Sequence, residues 1–268
     1  MAIGNGDAKE PSGIVTLLTD FGTVDAFVGV MKGVILGINP EARLVDLTHE
    51  IPAHDVEAAA FVLQMAYPYF PHGTVHLVVV DPGVGSRRRA IAVQAGAHLF
   101  VAPDNGVLSW VLARESRWEA VLIERQDLFL PEVSATFHGR DVFAPVAGHL
   151  SRGLALRELG PAIPELVRTK VPQPSVEGTC ARGEIVYFDR FGNAVTNLPR
   201  HLVPPHADLT IAVGSFRIQG LVSCYDEGTE GMPMALWGSA GYLELALRRD
   251  NLRARLGLVK GQKVYLQW

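Results

Sequence analysis

The sequence predicts an α/β protein in two parts, a layered α/β domain followed by a smaller all-β domain. Three observations carry that prediction. Residues 14–124 alternate strand-like apolar runs with helical periods, the pattern of a layered α/β domain. Residues 161–179 contain four prolines and no clear period, which marks a linker. Beyond them come short alternating segments broken by Gly and Asn, the texture of a small barrel or sandwich. The expected boundaries are 1–168 for the first domain, 169–179 for the linker and 180–268 for the second domain.

In chain order, "IVTLLTD" (14–20) reads as a strand ending on a carboxylate, and 24–38 as a helix stopped by Asn39-Pro40. "ARLVDLT" (42–48) is a second strand. Residues 55–70 place Val56, Ala60, Leu63, Tyr67 and Phe70 on one helical face. "TVHLVVVD" (74–81) is a strand apolar nearly throughout, as expected when both sheet faces are covered. Residues 90–106 form a hairpin turning near Gly96, followed by helix "VLSWVLARE" and strand "AVLIE". In the second domain, "DRFGN" is the turn of a β-hairpin and "LRRDNLRARLGL" contains a short helix.

Composition narrows the function classes. The chain has 268 residues, 48% hydrophobic and 19% charged, an ordinary globular balance. A net charge of -4 gives no electrostatic support for nucleic acid or a membrane surface as partner. No run approaches the ~18 apolar residues of a membrane span. The polar opening "MAIGNGDAKEPSG" lacks a secretory apolar core, so the expectation is a short frayed leader on a cytoplasmic protein. Cys180 and Cys224 lie far apart without metal spacing and read as ordinary thiols.

Each candidate site residue has a plain structural reading beside a functional one. Asp20 and Asp25 flank a Gly-containing turn at a strand end. They are either helix caps or, beyond the carboxyl end of a parallel strand, ligand contacts. "DPGVGSRRR" places Asp81 before a tight turn at Pro82, Gly83 and Gly85 that returns the arginines over the carboxylate. The alternative is a screened surface ion pair. The motif is neither the Walker pattern nor GxGxxG. His138 precedes a helix, with Asp141 as its expected cap and Pro145 in its first turn. His49, His54, His72, His76 and His149 read as structural. Phe191 and Asn193 lie in the "DRFGN" stretch, where an exposed ring and an amide suit an adenine base. No zinc spacing, GxSxG elbow or cysteine nucleophile is present, so no metal is expected.

Taken together, "TDFGTVDAFVGVMKG", "VDLTHEIPAHDV", "VVVDPGVGSRRR", "VAPDNGVLS", "TFHGRDVFAPVAGHL", "YFDRFGNAVTN" and "WGSAGYLELAL" resemble one family in order across nearly the whole chain. It is the S-adenosyl-L-methionine (SAM) hydroxide adenosyltransferases, the hydrolytic branch of the fluorinase/chlorinase superfamily. The resemblance implies an N-terminal α/β/α domain with a mostly parallel central sheet and a C-terminal β-barrel. It also implies a homotrimer, with SAM between one subunit's N-terminal domain and a neighbour's C-terminal domain. The implied reaction is attack of water or hydroxide on C5′ of SAM, giving adenosine and L-methionine, with SAM as substrate and no cofactor.

The same resemblance implies Asp81, Arg88 and His138 as the water-handling triad, and Asp20 on the ribose hydroxyls. It places Asp25 and Asp189 near the methionine amino group, Phe191 stacked on adenine, Asn193 on its edge and Ser239 near the substrate carboxylate. Halogenating members carry an arginine after that serine, a halide-binding serine and a long insertion. Here the first position is Ala240, which leaves the carboxylate to backbone N–H groups. The second is Gly139, preceded by His138 rather than tyrosine, and the insertion is absent; these last two departures favour hydrolysis over halogenation. The competing expectations are a non-catalytic SAM- or adenosine-binding protein and, behind it, a SAM-dependent halogenase.

Overall fold

A computed structural model describes residues 11–204 and 208–268. The first ten residues of the expected leader lie outside the described residues. The chain divides into two compact units, with the break after Val171.

The first unit is built on a six-stranded sheet. Its strands are β1 (Ile14–Thr19), β2 (Arg43–Thr48), β3 (Val75–Val79), β4 (Ala90–Ala95), β5 (His98–Pro103) and β6 (Trp118–Leu122), in the order β2-β1-β3-β5-β4-β6. The β1–β2, β1–β3 and β3–β5 pairs are parallel, and only β4 runs against its neighbours. All five residues of β3 are buried, as its unbroken apolar run predicts for a strand covered on both faces.

Helices cover this sheet according to the two-residue period of its strands. Val15 and Leu17 of β1 and Val75, Leu77 and Val79 of β3 share one core with α1 (Phe27–Ile38) and α4 (Ala144–Ser151). The α1 contribution is Met31 and Ile35, and α4 adds Val146, Ala147 and Leu150. Gly148 lets these two helices approach, since a Cβ there would stand 3.1 Å from Cβ of Ile38. Next to β1 lies α2 (Val56–Ala66), which packs on α3 (Ser109–Arg114) through the T-shaped pair of Phe61 and Trp110.

Helix ends depart from the expected limits for local reasons. α1 begins at Phe27 rather than 24 and carries no side-chain cap. α2 is capped by Asp55, whose carboxylate accepts from the Ala58 N–H at 2.9 Å. It gives way to a 3-10 turn at Tyr67–Tyr69, where Pro68 stands near its start. The expected cap at Asp141 is wrong. Asp141 is fully buried inside a single π-helical turn, Gly139–Phe143, and its carboxylate reaches out to the Ser134 N–H and to Arg140. The helix starts earlier than sequence spacing suggested, so the aspartate became an interior anchor for the preceding loop.

The second unit is antiparallel throughout. Its strands are β7 (Ser175–Glu177), β8 (Cys180–Phe188), β9 (Ala194–Pro199), β10 (Thr210–Val213), β11 (Phe216–Gln219), β12 (Met234–Trp237), β13 (Tyr242–Ala246) and β14 (Lys263–Gln267). The path runs β11-β10-β14-β8-β9-β13-β12, with β7 beside the first half of β8. A bulge between Ile185 and Tyr187 bends β8, and the sheet curls into a nearly closed barrel around Ile185, Leu198, Ile211, Leu243, Leu245 and Val264. The short helix α5 (Leu252–Leu256) lies between β13 and β14, and β7 falls within the stretch expected as linker.

Candidate active site

The parallel register of β1 and β3 delivers two carboxylates to one edge of the sheet. Thr19 pairs with Val79, so Asp20 leaves its strand one residue past the last pair and Asp81 two residues past it, both at the carboxyl end. After β3 the chain turns tightly, with Val84 N–H donating to Asp81 O at 3.2 Å and Ser86 N–H to Gly83 O at 3.1 Å. Gly85, at φ 75°, lies so close to Ala135 that a Cβ would overlap that residue's carbonyl oxygen. This turn sends the chain back past Asp81 before β4 begins.

Of the three consecutive arginines, only Arg88 reaches Asp81. Its Nε donates to both carboxylate oxygens at 2.9 Å, and its Nη2 donates to Oδ2 and, at 2.8 Å, to Nδ1 of His138. The guanidinium lies 5.0 Å from the ring centroid of Phe143, a buried residue of the π-helical turn. The Arg88 and Asp81 side chains are only 10% and 5% exposed, which removes the screened surface ion pair from consideration. Arg87 is exposed. Arg89 donates from Nε to Oδ2 of buried Asp104 at 2.7 Å and from Nη2 to Glu165 O at 2.9 Å, clasping the chain behind the site.

The bond between Arg88 and His138 fixes a protonation state. A guanidinium only donates, so Nδ1 of His138 accepts, and the neutral imidazole carries its proton on Nε2. Burial, and then the Arg88 charge, push the His138 value below its ordinary 6.5, in agreement with that bond. Asp141 supports the same loop. Burial alone would raise its carboxyl, but Arg140 and the Ser134 N–H outweigh it and hold it below the usual carboxylate range.

Asp20 does not cap α1. Its Oδ2 accepts from the His54 N–H at 2.8 Å, and the side chain is 8% exposed. Asp25 is exposed just before α1. In the second unit, Asp189 organises the turn between β8 and β9. Its Oδ1 accepts from the N–H groups of Phe191 (2.9 Å) and Asn193 (2.8 Å), and its Oδ2 accepts from Asn193 Nδ2 at 2.9 Å. Phe191 stands 73% exposed at the tip of that turn, and Asn193 is buried. Ser239 is exposed in the turn between β12 and β13. The structure thus joins Asp81, Arg88 and His138 directly, sets Asp20 at the same sheet edge, and groups Asp189, Phe191 and Asn193 on one turn.

Sequence reasoning missed several supporting residues. Asn105 donates to Val80 O at 2.8 Å and steadies the strand end next to Asp81; its "PDNG" context was the available signal. Tyr225 donates to Glu244, a carboxylate on β13 whose value burial raises. His49, read as structural, is indeed buried, 2.9 Å from Thr19 Oγ1, and its carbonyl accepts from Gly22 N–H in the turn after Asp20. Among the described residues there is no cluster of His, Cys, Asp or Glu able to hold a metal ion, and no helix long and apolar enough to cross a membrane.

Comparison with known proteins finds one family along most of the chain. The family model of the SAM hydroxide adenosyltransferase N-terminal domain matches residues 15–160, and that of the C-terminal domain matches 183–265. A protein of Thermus thermophilus named (R)-S-adenosyl-L-methionine hydrolase is 43% identical over 94% of this chain and 98% of its own length. A fluorinase of an Actinoplanes species is 29% identical over 94% of this chain and 96% of its own. The crystal structure of an uncharacterized conserved protein from Thermotoga maritima is 37% identical, with a TM-score of 0.89 over 95% of this chain and 100% of that one.

Proposed function

Because the chain belongs to the SAM hydroxide adenosyltransferase family, we propose that it is an enzyme that hydrolyses S-adenosyl-L-methionine, with water or hydroxide attacking C5′ to release adenosine and L-methionine. The observation that carries this reading is the bonded group of Asp81, Arg88 and His138 at the carboxyl edge of the parallel strands.

The chemistry asks little of the protein at the leaving group. Methionine departs from a sulfonium as a neutral thioether and needs no acid. What remains is to hold a water in line behind C5′ and to remove its proton. His138 offers an Nε2–H donor that orients the water oxygen, because its Nδ1 is committed to Arg88. Arg88 supplies a fixed positive charge for the developing hydroxide. With His138 held in the donor tautomer, the Asp81 carboxylate is the group that takes the proton. Its acceptor oxygens are steadied by Arg88, and it makes no bond to the imidazole among the described residues.

Substrate binding follows from the remaining residues. Asp20 takes the ribose, and Asp25 and Asp189 face the methionine ammonium. Phe191, exposed and rigidly turned, stacks on adenine. The Asn193 amide nitrogen already serves Asp189, so its oxygen is left to accept from the adenine amine. Ser239 and neighbouring N–H groups take the carboxylate. SAM is the substrate, and the reaction as written calls for no cofactor.

The homotrimer, with sites completed by neighbouring subunits, belongs to the same proposal. It is supported by the exposed apolar side chains in and just before α1, Val24, Phe27, Val30 and Leu36, which association would cover. Cytoplasmic placement is supported by two free thiols, Cys180 and Cys224, as suits a reducing compartment.

The test is a chromatographic product assay with SAM in isotopically labelled water. Label in the 5′-hydroxyl of adenosine establishes the bond broken and the nucleophile. Tight SAM binding with no turnover makes the protein a SAM- or adenosine-binding module instead.

A further inference from the structure

We infer that His54 is a specificity-determining contact, closing with Asp20 on a single sugar hydroxyl of the nucleoside substrate. The inference rests on the reading that Asp20 takes the ribose.

The loop from β2 to α2 returns to the end of β1 and meets it at His54. Three features of that residue stand together. Its backbone N–H donates to Asp20 Oδ2 at 2.8 Å. Its φ is 67°, and only Arg249 shares a left-handed backbone among the described non-glycine residues. Such a conformation carries a cost for any residue with a Cβ and persists where the surroundings or a function demand it. The third feature is the side chain, which is 76% exposed, so packing does not account for an imidazole there in place of glycine.

The distance between the two side chains suggests the ligand. Nδ1 of His54 stands 4.0 Å from Asp20 Oδ2, beyond a direct hydrogen bond. One oxygen atom can bridge that gap with two bonds of about 2.8 Å meeting at about 90°. A hydroxyl suits both ends, because it donates to the carboxylate and accepts from an imidazole N–H. Asp20 Oδ1 has no partner among the described residues, so the neighbouring hydroxyl of a vicinal diol has an acceptor as well. A site that hydrogen-bonds a hydroxyl rejects the analogue lacking it, since its polar groups are then left unpaired.

The experiment measures kcat/KM for SAM and for its 2′-deoxy and 3′-deoxy analogues with the wild type, H54G, H54N and D20N, together with thermal midpoints. The wild type is expected to prefer SAM over at least one analogue by about tenfold or more. H54G keeps the N–H bond to Asp20 and accommodates φ 67° without a Cβ, so its midpoint holds or rises. Its preference for that analogue pair is expected to fall below about threefold, while KM for SAM rises about tenfold. H54N, which tolerates the same backbone and retains a donor, recovers part of the discrimination. Undiminished discrimination in H54G overturns the inference. So does a fall in its midpoint with kcat and KM changing together, which marks a structural role. Undiminished discrimination in D20N locates the failure in the ribose assignment of Asp20 itself, and the inference falls with it.

Discussion

Arg88 donates a 2.8 Å hydrogen bond from Nη2 to Nδ1 of His138 while Nη2 and Nε together grip Asp81, so one guanidinium sets the protonation state of the imidazole and the position of the carboxylate together. Protonating His138 on Nδ1 breaks that bond. Its folded value lies below the ordinary 6.5, so across that interval the folded protein binds fewer protons than the unfolded chain. The contribution is complete above pH 6.5 and is lost as the pH falls towards the folded value. The kcat/KM profile, which reports the free enzyme, should be flat just above pH 6.5, with its acid limb below it. An acid limb centred above that pH would contradict the assigned tautomer.

Replacing Arg88 separates its two duties. Arg88→Lys keeps a charge but cannot fork to Asp81 and reach His138 at once. Turnover should fall by about 10² or more, while the dissociation constant for adenosine stays within about threefold. Arg88→Ala also leaves a nearly buried carboxylate unpaired, which costs about 3 kcal/mol by denaturant unfolding. Asp81→Asn should lose turnover to a similar degree with a smaller stability cost. Turnover by Asp81→Asn close to the wild-type rate would remove Asp81 as proton acceptor.

Two glycines with similar backbone angles should behave differently. Gly22, at φ 65°, has open space where a Cβ would go, so Gly22→Ala costs about 1 kcal/mol from the backbone alone. Gly85, at φ 75°, lies against the Ala135 carbonyl. Gly85→Ala should cost clearly more in thermal melting and lower kcat, because the turn that returns Arg88 and the segment before His138 are forced apart. Equal melting of the two variants would show that the close approach is dispensable.

Phe191 is exposed, so its removal should hardly touch stability. Loss of an aromatic platform under a base costs about 1–3 kcal/mol of binding, or roughly five- to 150-fold in KM for SAM. Phe191→Ala with unchanged KM would take adenine away from this turn.

Hydrolysis rather than halogenation should persist in excess halide. Gly139 is packed so that a Cβ would stand 3.1–3.3 Å from Phe137, Met31 and Val79, leaving little room for the halide-binding serine expected in halogenating relatives. Incubation with SAM and fluoride or chloride should yield adenosine alone, and chromatographic detection of 5′-halo-5′-deoxyadenosine would overturn this.

The sequence by itself determined the layered α/β unit, the all-β character of the unit after it, with barrel and sandwich both open, and the placing of Asp20 and Asp81 at strand ends. These are local matters, since periods of about two and 3.6 residues and turn-forming Gly, Pro and Asn are written in neighbouring positions. Likeness of motifs pointed to Arg88 and His138, but only tertiary structure decided how they work. Arg87, Arg88 and Arg89 are chemically identical in sequence, yet one is exposed, one joins Asp81 and His138, and one clasps Asp104. The same holds for Asp141, which became a buried anchor instead of a cap, and for His54, whose backbone strain and nearness to Asp20 have no sequence signature. Such pairings join groups as far apart as 50 residues across separate loops, so their geometry exists only once the sheet has brought those loops to one edge.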